Sequence, residues 1–299
     1  MAKSKPKKAD GRSASRTIPI ALVVAVLAVG VSAVYGLSIY FRGGRRGDMT
    51  ADSFELAVCR SAAERVKGCT PRGQKGCGRL VRNNFASADE VAALRTIAER
   101  GMAMGGGGAG GPTILDLQSG AVSYKDKFID VWTAFNSSGA APFTKSDVQV
   151  YADLVERIRR LAEATFGASG LQLTEPTFFS RISGDRPPVT AHDEYWHVHV
   201  DAKQYGSFVY TALLYLADHG ADFTGGSFEF MRSAADPPDA AALVAVPPTK
   251  GRLVLFTSGD EHPHRVTRVT AGERLALTIA FTCDERAAIT DFLGRALDG

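Results

Sequence analysis

The most extended pattern along this 299-residue chain is an unbroken apolar one: from Thr17 to Phe41, 25 successive residues carry no charge. As a helix rising ~1.5 Å per residue the run reaches roughly 37 Å, enough to cross a ~30 Å hydrocarbon core with some tilt. Tyr35, Tyr40 and Phe41 suit the interface at one end, with Arg42 to Arg46 among headgroups. The pattern predicts a transmembrane helix over 17–41. A cleaved signal peptide with Val31-Ser32-Ala33 at the cut is the first alternative, although such apolar regions usually run only ~7–15 residues. A buried soluble helix is the second.

Beyond the run, residues 43–78 show little periodicity apart from Ala51–Arg65, read as a short helix within a stem. A better helix starts at Ser87, with Glu90 three residues on as a capping box and Val91, Leu94, Ile97 and Ala98 on one face. Met104–Pro112 (MGGGGAGGP) reads as a breaker, because its glycines lose too much entropy in regular structure. Over Asp147–Phe166, Tyr151, Leu154, Val155, Ile158, Leu161, Ala162 and Thr165 repeat at three and four, predicting a helix that covers one face of a sheet.

After Gly170 the period changes to short β-prone runs separated by Gly, Pro and Asp. They are Thr177–Ile182, Tyr195–Val200, Phe208–Leu216, Ser227–Met231, Arg252–Phe256, His264–Val269 and Arg274–Phe281. Strands at this spacing point to a two-sheet sandwich or barrel behind N-terminal helices, an α+β fold class. The domains expected are a basic tail at 1–16, the membrane helix at 17–41, a Cys-containing stem at 42–80 and a folded domain at 81–299.

Charge sharpens this division. The net +3 conceals nine Lys or Arg against Asp10 alone in residues 1–46, a net of +8, and 26 basic against 31 acidic residues in the remainder, a net of −5. Phosphate binding needs cations that a fold can present, so the body reads as no nucleic-acid partner. Six basic residues precede the apolar run and three follow it, which predicts type II topology with the body lumenal, in the endoplasmic reticulum or Golgi, or extracytoplasmic. Cys59, Cys69, Cys77 and Cys283 allow three full pairings, among which sequence does not choose, and their gaps are unlike a zinc knuckle. One disulfide with two free thiols is equally compatible.

All six histidines lie between 192 and 264. In Trp196–Asp201 (WHVHVD), residues two apart face the same way, so His199 with Asp201, or His197 with His199, can meet at one ion. A third ligand then comes from a neighbouring strand, with His262 or His264 as the natural source. Two His and one carboxylate leave open coordination positions, as in non-haem Fe(II) oxygenases; a surface or hydrogen-bonded histidine pair is the plainer reading. Ten residues past His264, alternation puts Arg274, Ala276, Thr278 and Ala280 on one face of a strand and Leu275, Leu277, Ile279 and Phe281 on the other. A small-residue face with one cation looks like a pocket floor, and a buried guanidinium needs a carboxylate from ligand or protein. Asp201 or Glu229 would serve, as would a solvent-facing position.

His199-x-Asp201, His264 and Arg274, with HVHVD, YGSFVYTALLYLAD, Phe223–Phe228, GRLVLFTSGDEHPHRV and GERLALTIAFTC, resemble the prolyl 4-hydroxylase superfamily of 2-oxoglutarate and Fe(II)-dependent dioxygenases over about 171–283. The resemblance implies a double-stranded β-helix (jelly-roll) core with the metal between its two sheets. It implies His199, Asp201 and His264 as iron ligands, Arg274 as partner of the distal carboxylate of 2-oxoglutarate, and Thr278 as a second contact. It further implies Fe(II), 2-oxoglutarate and O₂, ascorbate as reductant, and hydroxylation of a C–H bond on a protein or peptide side chain such as proline, releasing succinate and CO₂. His197 and His262 then belong to the rim or surroundings. Many relatives carry a Tyr before HxD where this chain reads Phe178-Phe179-Ser180-Arg181-Ile182, and Tyr195, Tyr210 or Tyr215 is the expected substitute. The rival readings are a membrane-tethered metal-binding scaffold of the same fold without turnover and a zinc metallohydrolase. Loops Arg232–Pro248 and 105–111 are the expected substrate rim.

Overall fold

The alternation in Arg274–Phe281 becomes the middle of the longest strand in a computed structural model, which describes residues 47–59, 76–108, 110–136, 143–189, 193–291 and 293–294. The chain forms β1 (Ser53–Ala57), β2 (Cys77–Arg82), α1 (Ala88–Gly105), β3 (Gly107–Gly108), β4 (Thr113–Leu115), β5 (Ala121–Lys125) and β6 (Lys127–Asp130). Helices α2 (Val131–Asn136) and α3 (Lys145–Phe166) follow, then β7 (Gln172–Ser183), α4 (Asp201–Tyr205), β8 (Tyr210–Tyr215) and β9 (Phe223–Gly225). The remainder is β10 (Phe228–Phe230), β11 (Val244–Val246), β12 (Leu253–Thr257), β13 (His264–Val266) and β14 (Val269–Thr282).

The larger sheet runs β1-β2-β12-β8-β14-β7-β4-β5-β3, and a smaller one runs β11-β10-β13. Alternation sorts side chains between two cores. From β14, β12 and β8, Leu275, Leu277, Ile279, Phe281, Leu253, Leu255 and Leu214 pack with Leu94 and Ile97 of α1 and Leu154 and Ile158 of α3. The opposite positions, Ala276, Val254, Phe256, Leu213 and Tyr215, meet Phe228, Phe230, Val244 and Val246 of the smaller sheet. Each such large buried side chain contributes ~1.5–3 kcal/mol. The two-sheet core and the helical cover therefore match the expectation. Among the described residues no helix is long and apolar enough to cross a membrane, and the expected span at 17–41 lies outside them.

The helices start where their caps put them. Ser87 accepts from the Glu90 N–H while the Glu90 carboxylate accepts from the Ser87 N–H at 2.7 Å, and Thr144 with Asp147 repeats the device at α3. Arg157 of α3 reaches across to Glu90 at 2.7 Å and donates to Phe85 O at 2.8 Å. The hydrogen bond from Arg157, opposed by burial and aided by Ser87, pulls the Glu90 carboxyl down to about 2. A depressed carboxylate stabilises the fold above its unfolded value near 4.5 and loses that contribution as pH falls toward 2. For this partly exposed pair about 1 kcal/mol is expected, and Arg157→Ala should flatten the decline between about pH 6 and about pH 3 in urea titrations. An unchanged slope would separate the pair from acid stability.

Three expectations are corrected. Ala51–Arg65 is not a helix as far as it is described: β1 pairs antiparallel with β2 from Ser53↔Val81 to Ala57↔Cys77. Long-range backbone pairing and a Cys59–Cys77 disulfide override its weak helical pattern, so the stretch read as a stem at 42–80 contributes sheet strands. Cys283 is disulfide-bonded as well. The glycines after Met104 do not simply break structure: α1 runs through Gly105, where a Cβ would lie 2.2 Å from Ser123 O, so helix and β5 can touch only without one. Finally, Tyr195–Val200 is no regular strand. His199 makes a single bridge to His264, and α4 begins at Asp201, where Ala202 N donates to Ser258 O at 3.0 Å.

Candidate active site

Reciprocal backbone bonds of 2.9 Å between His199 and His264 bring their rings to one side, 4.3 Å between centroids. Two residues on, Asp201 Oδ1 lies 3.6 Å from His199 Nε2 and 3.4 Å from His264 Nε2. Its Oδ2 accepts from Thr211 Oγ1 at 2.6 Å, and Thr211 also meets Ser258 Oγ at 2.8 Å, which aims Oδ1 at the imidazoles. Each ring presents Nε2 because Nδ1 donates to a carbonyl, His197 O at 3.0 Å for His199 and His262 O at 2.9 Å for His264. Ligand atoms ~2.1 Å from a shared ion, at roughly right angles, lie ~3 Å apart, so this His-Asp-His set, buried at Asp201 and His264 and open at one edge of His199, fits a divalent cation.

Electrostatics agree with that use. Burial pushes the Asp201 carboxyl up, but the His264 charge and hydrogen bond, with His199 and Thr211, hold it below the usual carboxylate value. At His264 burial acts downward and Asp201 more than reverses it, leaving the imidazole raised. His199, open along one edge, is pushed down to about 4 by burial and then by His264, against Asp201. A saturating divalent ion should stabilise the protein by ~2.7 kcal/mol at a hundred times its Kd. Protons compete for the raised His264, so the gain should shrink as pH falls; thermal unfolding with Mn(II) or Co(II) at several pH values reads it. No metal-dependent rise at neutral pH would contradict the site.

The floor of the same cavity, about 510 Å³, carries Arg274, which is 2% exposed. Its Nε donates to Gly226 O at 3.1 Å and its Cζ stands 5.4 Å over the Tyr215 ring, while one terminal nitrogen has no hydrogen-bond partner among the described residues. Burial lowers its affinity for the proton, with Tyr215 and Tyr195 opposing. A Cβ at Gly226 (φ +65°) would come within 3.0 Å of the Arg274 chain, so glycine there lets the carbonyl approach the guanidinium. The protein partners considered from sequence are otherwise engaged: Glu229 pairs with Arg265 at 2.8 Å, and Asp201 sits with the histidines. An orphaned buried donor in a cavity beside a metal-ready triad fits a carboxylate of a small ligand. Thr278 and Phe178, Ser180 and Ile182 of β7 line that cavity too.

The open choices resolve by position. His262 is 2% exposed, donates to Thr257 O and packs between Phe230 and Phe256, outside the cavity lining. His197 lines the mouth in an exposed pair with Glu194 at 2.7 Å. Of the three tyrosines, Tyr195 lines the cavity, Tyr215 lies beneath Arg274, and Tyr210 faces the helical core on Phe166. The loop Arg232–Pro248 is no part of the lining; Arg265 donates to Pro238 O at 2.6 Å and Ala240 O at 3.0 Å and holds it to the smaller sheet. Instead the half-exposed Phe128 of β6 stands at the lip. Thr211 belongs to no motif in the sequence; the signal for it is alternation with Leu213 in β8, which puts both on the inner face.

Residues 187–282 match the 2OG-Fe(II) oxygenase superfamily. The chain is similar to 2-oxoglutarate and iron-dependent oxygenase domain-containing protein 3 of Mus musculus, 42% identical over 252 residues, covering 83% of this chain and 76% of that one. It is also similar to prolyl 3-hydroxylase 1 of Mus musculus, 28% identical over 239 residues, covering 72% of this chain and 30% of that one. Among solved structures, a prolyl hydroxylase from Trichoplax adhaerens in complex with a hypoxia inducible factor peptide aligns with a TM-score of 0.45 and 17% identity, covering 79% of this chain and 94% of that one.

Proposed function

The chain belongs to the 2OG-Fe(II) oxygenase superfamily, and from that premise we propose that it hydroxylates a C–H bond on a protein side chain, proline being the first candidate. The observation that carries this reading is the convergence of the His-Asp-His set and the orphaned Arg274 donor on one cavity. His199, Asp201 and His264 would hold Fe(II), with Arg274 and Thr278 on the distal carboxylate of 2-oxoglutarate. When bound, the two supply oxidative decarboxylation to succinate and CO₂, coupled to transfer of one oxygen atom of O₂ to the substrate. The chain's own share is placement: Thr211 orients Asp201, the carbonyls of residues 197 and 262 set the imidazole tautomers, and the guanidinium fork of Arg274 fixes its ligand in two directions. Phe228 and Phe256, each with its ring centroid 5.0 Å from that of His264, keep water from the buried side of the triad.

The two-sheet core is then the double-stranded β-helix of the superfamily. The likeness to prolyl 3-hydroxylase 1 supports a prolyl target. The apolar run at 17–41 and the basic residues before it support a type II membrane anchor with the domain lumenal. Disulfide bonding at Cys59, Cys77 and Cys283 supports an oxidising compartment, and ascorbate would serve as reductant. The test is incubation of the full chain with Fe(II), 2-oxoglutarate and pooled lumenal peptides. Succinate should form together with a single-oxygen mass increase on one peptide. Iron binding without succinate across the pool would instead leave a scaffold.

A further inference from the structure

Beside the metal-ready cavity lies a second one of about 210 Å³, and the two share Asp193 and Tyr195 as their common wall. Arg186 and Arg268, both exposed, line the second cavity. Neither is ion-paired with a carboxylate among the described residues; Arg186 donates to Gly108 O at 3.3 Å. The Cζ of Arg268 stacks 3.7 Å over the Trp196 ring. Stacking uses the face of a guanidinium and leaves its N–H edge for a ligand. The Asp193 carboxylate accepts from Val189 N at 2.8 Å and so helps shape the loop itself.

The cavity's lining carries two guanidinium groups against the single carboxylate of Asp193, an excess of one positive charge that a ligand anion would offset. A guanidinium edge matches a carboxylate bidentately. The shared wall means that one extended chain, advancing ~3.3 Å per residue, can enter both cavities at once. We propose that the second cavity is a subsite for an acidic side chain, Asp or Glu, of the polypeptide substrate, within a few residues of the one that enters the metal-ready cavity. The proposal rests on the oxygenase reading above and gives it a substrate class.

The test is calorimetric titration of the full chain with two acetylated, amidated octapeptides, one alternating Pro and Asp, the other Pro and Asn. At low salt the Asp peptide should bind about tenfold tighter, a margin that should fall below about twofold in Arg186→Gln/Arg268→Gln. Arg268→Lys, which keeps the charge and loses the fork and the stack, should recover only part of it. Should the double variant fail to fold, Arg268→Gln alone carries the same expectation. Equal affinity for the two peptides, a margin that survives in the Gln variants, or displacement of the Asp peptide by acetate at matched carboxylate concentration would overturn the proposal. The titration needs no turnover. A preference for the Asp peptide without succinate release in the peptide-pool assay would keep the subsite and remove the reaction; succinate release without a preference would do the reverse.

Discussion

Asp201→Ala should end substrate-dependent succinate formation and weaken divalent-cation affinity by more than about a hundredfold, since even the groups that merely orient metal ligands carry ~10–100-fold. Oδ1 is the atom that approaches both imidazoles, at 3.4 and 3.6 Å, so its loss opens one side of the triad. The metal-free fold should change far less, because Thr211 keeps Ser258 as a partner at 2.8 Å when its carboxylate acceptor is gone. With the anion removed, the His264 imidazole should titrate lower, as burial then acts on it without its main opponent. Thr211→Val is the graded version: it leaves Oδ1 in place, frees Oδ2, and should weaken metal binding by ~10-fold. Robust succinate formation by Asp201→Ala would sink the assignment of this carboxylate.

At Arg274 two effects should part in sign. Without a ligand its guanidinium is a buried charge that donates to Gly226 O, is helped by Tyr215 and keeps one terminal nitrogen without a partner among the described residues, a costly arrangement. Replacing even a buried ion pair by apolar residues of similar volume is often neutral or stabilising by ~1–4 kcal/mol, so Arg274→Met, which removes a buried charge with no carboxylate partner, should leave the unloaded protein as stable or more so. The same change should raise KM for 2-oxoglutarate steeply. Truncating one side of a buried hydrogen-bonded charge pair costs ~2–5 kcal/mol, and each 1.4 kcal/mol is tenfold in affinity. Arg274→Lys keeps the charge and loses the fork, and should fall between. A variant that loses stability and keeps its KM would make Arg274 structural.

Much of this site was legible in the sequence because its signals are short-range. Alternation along β14 placed Arg274 and Thr278 opposite Leu275, Leu277, Ile279 and Phe281, and the two cores divide along that line. The capping box at Ser87 and the three-four stripe through Leu154 and Ile158 are equally local, and both helices form. The edge strand β1 and its neighbour β2 were not legible: Leu80 and Val81 are buried on opposite faces of β2, yet nothing in CGRLVR names β12 as its neighbour. The glycines at 105–108 misled for a related reason, since a close approach to β5 is a property of two segments together.

By itself the sequence determined the kinds of group available and the face each takes along its own strand or helix, because both follow from backbone periods of 2 and 3.6 residues. Spacing alone left His262 and His264, two residues apart in one segment, both open; the family resemblance implied His264, and the tertiary structure supplies the physical reason. The bridge from His264 to His199 sets the choice, turning one ring toward Asp201 and leaving the other among Phe230 and Phe256. The structure likewise took Glu229 away from Arg274 by pairing it with Arg265, and joined Cys59 to Cys77. These outcomes depend on register between distant segments, and a one-residue slip between His199 and His264 would leave every local pattern intact while scattering the triad.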